Sequence, residues 1–364
     1  MIVPLGLFVA GVVVYYELSS KRRAAKVKRS VTDLIANTPM LVIPSLSALT
    51  GCQVILKVEA QNPGGSAKDR IAKAIVEDAE KAGLLTRGHP GNVYEGTSGS
   101  TGISLATICN SWGYKCHIVI PSDTSAEKVA LLKALGAAVH MVPPAGIADP
   151  RHYVNEARAL AEKDPHGVFA NQFENSANWR AHYSTTGPEI LDQIDHCDAF
   201  VCGAGTGGTI SGVGKFLKEK LQSVQIILAD PQGSGLHNQV HFGVLFDSSE
   251  KEGTRKRHQV DSLVEGIGLN RLTQNFKEGM GIIDSSVKVS DAEAITMARH
   301  LIEKDGIFVG SSTGVNCVAA YRVAKALGPG HTIVTLWCDG GARHLSKFWK
   351  ADLCDNELKQ ELGE

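Results

Sequence analysis

The chain has 364 residues, 43% of them hydrophobic and 21% charged, with 37 Lys and Arg against 38 Asp and Glu. The near-neutral balance leaves no basic footprint for nucleic acid, the apolar fraction excludes a disordered chain, and the length allows two modest domains. Eight cysteines form no CxxC pair and no zinc spacing, so they read as free thiols in a reducing compartment, with no metal site expected.

The N-terminus comes first. Met1 to Tyr16 carry no charge, and Lys21, Arg22, Arg23, Lys26, Lys28 and Arg29 follow. As a helix this run reaches ~24 Å, a little short of the ~30 Å hydrocarbon core. A cleaved signal peptide wants its basic residues before the run and small residues after it, and neither is present. A buried core helix wants an amphipathic pattern. The remaining reading is a single anchor over residues 1–18, with the basic flank and the catalytic body in the cytosol. A short span of this kind suits a thin membrane, the mitochondrial outer membrane or the endoplasmic reticulum, and the former is expected.

From about residue 31, apolar runs alternate with amphipathic stretches. Expected strands are 53–58, 92–95, 116–121, 139–142, 199–202, 225–229, 306–309 and 332–337. Expected helices are 67–82, 125–135, 151–163, 208–221, 291–304 and 315–327. Such alternation implies right-handed crossovers and parallel sheets, and this many strands implies two α/β domains with a cleft between them. The charged stretch 241–258 reads as a solvated loop.

Three segments carry the chemistry. Gly203-Ala204-Gly205-Thr206-Gly207-Gly208-Thr209 follows an apolar strand and opens a helix, which makes a phosphate-binding turn. Gly203, Gly205 and Gly208 also fit GxGxxG, and Asp230 follows about 20 residues on, so a nicotinamide dehydrogenase is a rival. Asn62-Pro63-Gly64-Gly65-Ser66-Ala67-Lys68-Asp69-Arg70 places Lys68 in the first turn of a helix. There the dipole opposes its charge, which favours the neutral amine that a Schiff base requires. Glu95-Gly96-Thr97-Ser98-Gly99-Ser100-Thr101-Gly102 ends a strand and offers hydroxyls and amides to a carboxylate.

Together these segments resemble the fold-type-II pyridoxal-phosphate family, which contains cysteine synthase, cystathionine β-synthase and threonine dehydratase. The resemblance runs from about residue 31 to 350 and is closest to the fungal, membrane-anchored mitochondrial type of cysteine synthase. It implies pyridoxal 5'-phosphate held by Lys68 as a Schiff base, with Gly205, Thr206, Gly207, Gly208 and Thr209 around the phosphate. Ser312, in Gly310-Ser311-Ser312-Thr313-Gly314, would face the pyridine nitrogen. Thr97, Ser98, Gly99, Thr101 and Gln172 would bind the substrate carboxylate, and Gly266-Ile267-Gly268 would line the cleft. Where the family carries asparagine this chain has Ser100, beside cofactor and substrate.

The resemblance also implies the domain plan: residues 62–175 as a smaller α/β domain, 31–61 with 176–350 as a larger one, and 351–364 as a tail. The implied reaction is β-replacement, O-acetylserine plus sulfide giving cysteine plus acetate, through the Lys68 aldimine and an aminoacrylate. Alternatives are β-elimination from serine or cysteine, or cystathionine-type synthesis with a thiol. A reading of another class is a membrane-tethered cofactor-binding protein of low turnover, motivated by Ser100. A homodimer is implied by resemblance alone.

Overall fold

The computed structural model describes residues 27–97, 99–124, 126–247 and 262–364. In chain order its strands are β1 (Met40–Val42), β2 (Gln53–Val58), β3 (Asn92–Gly96), β4 (Lys115–Pro121), β5 (Ala138–Val142), β6 (Gly167–Phe169), β7 (Ala199–Gly203), β8 (Gln225–Pro231), β9 (Ser285–Val289) and β10 (Thr332–Trp337). They form a six-stranded sheet, β1-β2-β10-β7-β8-β9, and a four-stranded sheet, β5-β4-β3-β6. Every pairing is parallel except β1 with β2, an antiparallel edge. The central strands are apolar on both faces because helices cover both sides; β7 is buried along its whole length.

Five helices position the site: α1 (Lys68–Lys81), α2 (Ser100–Trp112), α3 (Gly208–Lys220), α4 (Asp291–Asp305) and α5 (Ser311–Leu327). In α1 the side chains of Ile71, Ala72, Ile75, Val76 and Ala79 recur at helical spacing and pack into the core of the four-stranded unit. Helix α5 is buried nearly all round and joins α4 in the core of the larger sheet.

Three expectations need correction. Residues 306–309 are not a strand. Gly306 caps α4 at φ 70, and the short link to α5 is apolar because Ile307 and Val309 fill the core, with Val309 making an isolated bridge to Gly340. Strands β1, β6 and β9 escape the sequence pattern, being short or, for β9, mixed in polarity (Ser285-Ser286-Val287-Lys288-Val289). His241 and Phe242 end a helix (Leu236–Phe242), and residues 248–261 of the expected loop lie outside the described residues. The apolar N-terminal helix and most of its basic flank also lie outside them. Among the described residues no helix is long and apolar enough to cross a membrane, no group of His, Cys, Asp and Glu is placed to hold a metal, and all eight cysteines are free.

Candidate active site

Parallel strands deliver their carboxyl ends to one side of a sheet, and ligands collect there. The loops after β3, β7 and β10 open onto a single cavity of about 990 Å³. Lys68, Thr97, Gly99, Ser100, Thr101, Gln172, Gly205, Thr206, Gly207, Thr209 and Ser312 all line it, as do Gly266, Ile267 and Gly268. Gly208 is buried just behind the wall, and Ser98 lies outside the described residues.

Lys68 is the first residue of α1, and the turn before it is tied down from three directions. The Asp69 carboxylate accepts the Gly64 amide and the Ser104 hydroxyl, each at 2.5 Å. Arg343 Nη2 donates to the Gly64 carbonyl at 2.6 Å, and the Ala67 amide donates to the Cys338 carbonyl at 3.2 Å. Burial pushes the Asp69 carboxyl up, against the pull of those hydrogen bonds.

Arg70 leaves the same helix toward the interior. It is bonded to Glu59 at 2.7 Å and to Glu189 at 2.6 Å, and Lys57 joins Glu189 at 2.8 Å. Two cations thus meet two anions, all nearly or wholly buried. Burial alone would raise the Glu189 carboxyl, but the Arg70 and Lys57 hydrogen bonds outweigh it and hold it at about 2. Burial first, and Arg70 second, push neighbouring His182 down to about 3, so its imidazole is neutral. His182 pairs with the Thr209 hydroxyl at 3.1 Å and the Thr186 hydroxyl at 2.9 Å, and it feels the charges of the ionic cluster from beside the glycine turn.

That turn has no room for side chains. Gly207 sits at φ +84, and a Cβ on it would lie 2.5 Å from Phe276 Cα. Added methyls on Gly205 and Gly208 would run into Gly266 O and Asn178 Oδ1. The Thr206 carbonyl accepts from Thr273 at 2.7 Å, and its hydroxyl accepts from Asn178 Nδ2 at 3.0 Å. Across the cavity Gln172 Oε1 accepts the Thr101 hydroxyl at 2.6 Å. Ser312 opens α5 and is buried beside Cys338, whose thiol burial pushes up.

The donor set is a lysine amine at one place, a glycine turn with hydroxyls at the start of a 13-residue helix at another, and a serine hydroxyl between sheet and helix. A phosphorylated aldehyde with a ring nitrogen fits it: the helix start suits the phosphate and the hydroxyl suits a neutral ring nitrogen. The dinucleotide reading fails on Asp230. That carboxylate is buried away from the cavity, accepts the His237 amide at 2.9 Å and pairs with Lys288 at 3.2 Å.

Residues 31–339 match the family model described as pyridoxal-phosphate dependent enzyme. The chain belongs to the pyridoxal-phosphate dependent enzyme family. Its cofactor is pyridoxal phosphate, and the resemblance read from the motifs holds. Among curated relatives of this family, a Saccharomyces cerevisiae protein provisionally named a mitochondrial cysteine synthase is 56% identical over 356 residues, covering 95% of this chain and 91% of that one. Cysteine synthase 2 of Emericella nidulans is 54% identical over 337 residues, 88% of this chain and 79% of that one. A solved family member, an O-acetylserine dependent cystathionine beta-synthase from Helicobacter pylori, superposes with TM-score 0.76 at 31% identity, covering 88% of this chain and 98% of that one.

The motifs did not reveal Asp69, Glu95, Asn178 or His182, which brace the cavity wall from behind, or Arg343, which lines the cavity itself. Asp69 had a local signal, an acid in the first turn of a helix. The others act on partners distant in sequence.

Proposed function

We propose that this enzyme makes cysteine and acetate from O-acetylserine and sulfide by β-replacement. The observation that carries this is one cavity in which Lys68, the Gly205–Thr209 turn, Ser312 and the Thr97–Gln172 wall converge, in a chain more than half identical to relatives named cysteine synthase.

Bound there, pyridoxal phosphate supplies the electron sink that makes an amino acid's α-proton removable and its β-substituent able to leave. Lys68 Nζ would hold the aldehyde carbon and, once substrate is bound, would take the α-proton as general base. Thr97, Ser98, Gly99, Thr101 and Gln172 bind the substrate carboxylate. Gly205 to Thr209 orient the phosphate. The Ser312 hydroxyl would meet the ring nitrogen with no formal negative charge, which would favour loss of the β-group over prolonged charge storage. Acetate would depart with the C–O bonding pair, sulfide would form the new C–S bond, and Lys68 would return the proton to the α-carbon.

A second reading rests on Ser100. It lines the cavity where the family carries asparagine, and its hydroxyl offers one donor where an amide offers two. A cofactor-binding protein of low turnover follows if that amide is indispensable. One experiment separates the readings: titrate the holoenzyme with O-acetylserine, serine, cysteine and threonine while recording the cofactor's visible absorption. Cysteine synthesis requires an O-acetylserine response followed by turnover with sulfide, and Lys68→Ala must abolish the covalent label left by borohydride. An inert holoenzyme that gains turnover in Ser100→Asn establishes the second reading.

The domain division at residues 62–175 belongs to this reading. It is supported by β3 to β6, which form a sheet of their own. So does the anchor: residues 1–18 would tether the enzyme to the mitochondrial outer membrane with its catalytic body in the cytosol, and release of the full-length protein by alkaline carbonate overturns this. A homodimer completes the reading, to be checked by light scattering.

A further inference from the structure

Behind the cavity wall, at the end of β3, the Glu95 carboxyl is fully buried. N–H groups surround it. The Gln172 backbone amide and side-chain Nε2 each donate to it at 3.2 Å, and the Asn171 and Gly96 amides contribute. Asn171 is held at φ 53, a left-handed conformation unusual for a residue with a side chain.

A carboxylate can only accept, so the Gln172 amide must turn its nitrogen toward Glu95. Its Oε1 then faces Thr101, whose hydroxyl must donate. One acid that does not itself line the cavity thus sets the polarity of two residues that do. One N–H of Gln172 is left over for a ligand.

We propose that Glu95 is a positioning residue for amino-acid binding, fixing the Gln172 amide so that an N–H rather than the carbonyl oxygen is offered to the substrate carboxylate. The inference rests on the reading above that Gln172 and Thr101 meet that carboxylate. Protonation reverses the logic. A neutral Glu95 holds an O–H among N–H donors, and the acceptor within reach is Gln172 Oε1 once the amide has turned over. Burial pushes the Glu95 carboxyl up to about 8, against the Gln172 hydrogen bonds, so both forms are populated from about pH 7 to 9. Cys116, on neighbouring β4, is a titratable side chain that feels the Glu95 charge.

The test uses full-length holoenzyme and two readouts. In steady state at about pH 9, where wild-type Glu95 is mostly ionised, Glu95→Gln raises the half-saturating O-acetylserine concentration about tenfold, with a much smaller change in kcat and an unchanged cofactor spectrum. In the second readout, glutamine side chains carry ¹⁵N, and the Gln172 signal is assigned by its loss in Gln172→Glu. That signal moves with pH in wild type and in Cys116→Ala, and is fixed in Glu95→Gln. An unchanged half-saturation in Glu95→Gln overturns the inference. If wild type responds to none of the four amino acids, the reading of the function falls and the resonance alone decides. A Gln172 signal that does not titrate in wild type, or titrates equally in Glu95→Gln, then overturns the inference. Should Glu95→Gln fail to fold, the wild-type and Cys116→Ala titrations still decide between these outcomes.

Discussion

Lys68 and Arg70 leave α1 two residues apart and on opposite sides: Lys68 into the cavity, Arg70 into a buried pair of carboxylates. At 100° per residue the separation is ~200°, so fixing one side chain fixes the direction of the other. The ionic cluster is therefore the anchor against which the Lys68 amine is aimed.

Arg70→Ala should be costly. Removing one member of a buried ion pair leaves uncompensated charge and destabilises by ~3–5 kcal/mol. Arg70→Lys should recover little, because a point charge cannot bridge Glu59 and Glu189 as the guanidinium fork does. Urea unfolding of the three proteins measures this, and an Arg70→Lys midpoint equal to wild type contradicts it.

Acid should remove the contributions of His182 and Glu189, while Glu95, raised from 4.5 to about 8, adds stability as pH falls from about 8 to 4.5. Glu189 falls from an ordinary 4.5 to about 2, so its stabilisation is complete above 4.5 and is lost as pH drops toward 2. His182 falls from 6.5 to about 3. The unfolded chain therefore takes up its proton first, and stability drops between those values. One such proton gives a slope of at most ~1.4 kcal/mol per pH unit. Glu95 is common to both proteins, so the wild-type urea midpoint should drop relative to that of His182→Gln from pH 7.5 through 5.5 to 4. Equal slopes would remove His182 from the account.

Gly207→Ala should impair cofactor binding beyond its conformational cost. The left-handed backbone alone costs ~1–2 kcal/mol for alanine, and the new methyl meets Phe276. Gly113→Ala is the control, since Gly113 has φ +82 with open space around it. Both variants lose stability, but Gly207→Ala alone should raise the cofactor dissociation constant, by tenfold or more, as read by fluorescence titration of the apoenzyme.

Much of the fold was legible in the sequence where periodicity and burial agree. Strands β2 and β10 end where the apolar runs end, and the glycine turn before α3 announces itself by composition. Residues 306–309 misled because an apolar link filling a core looks like a strand. Gly203 to Asp230 imitated a dinucleotide fingerprint, since spacing cannot say which way a carboxylate points. Glu95 lay in plain view beside the carboxylate loop, but its importance depends on Gln172, which folding alone brings to it.

Asn178 has a consequence for the order of events. Its Nδ2 donates both to the Thr206 hydroxyl at 3.0 Å and to the Gln172 carbonyl at 2.7 Å. On the proposed reading, a phosphate seated at Thr206 would brace the strip that receives the amino acid, through a single carboxamide. On that reading loading would be sequential: the vitamin-derived partner would dock before its fellow reactant finds a finished berth, and apoprotein is expected to hold free amino acids poorly even with each of their own contacts in place.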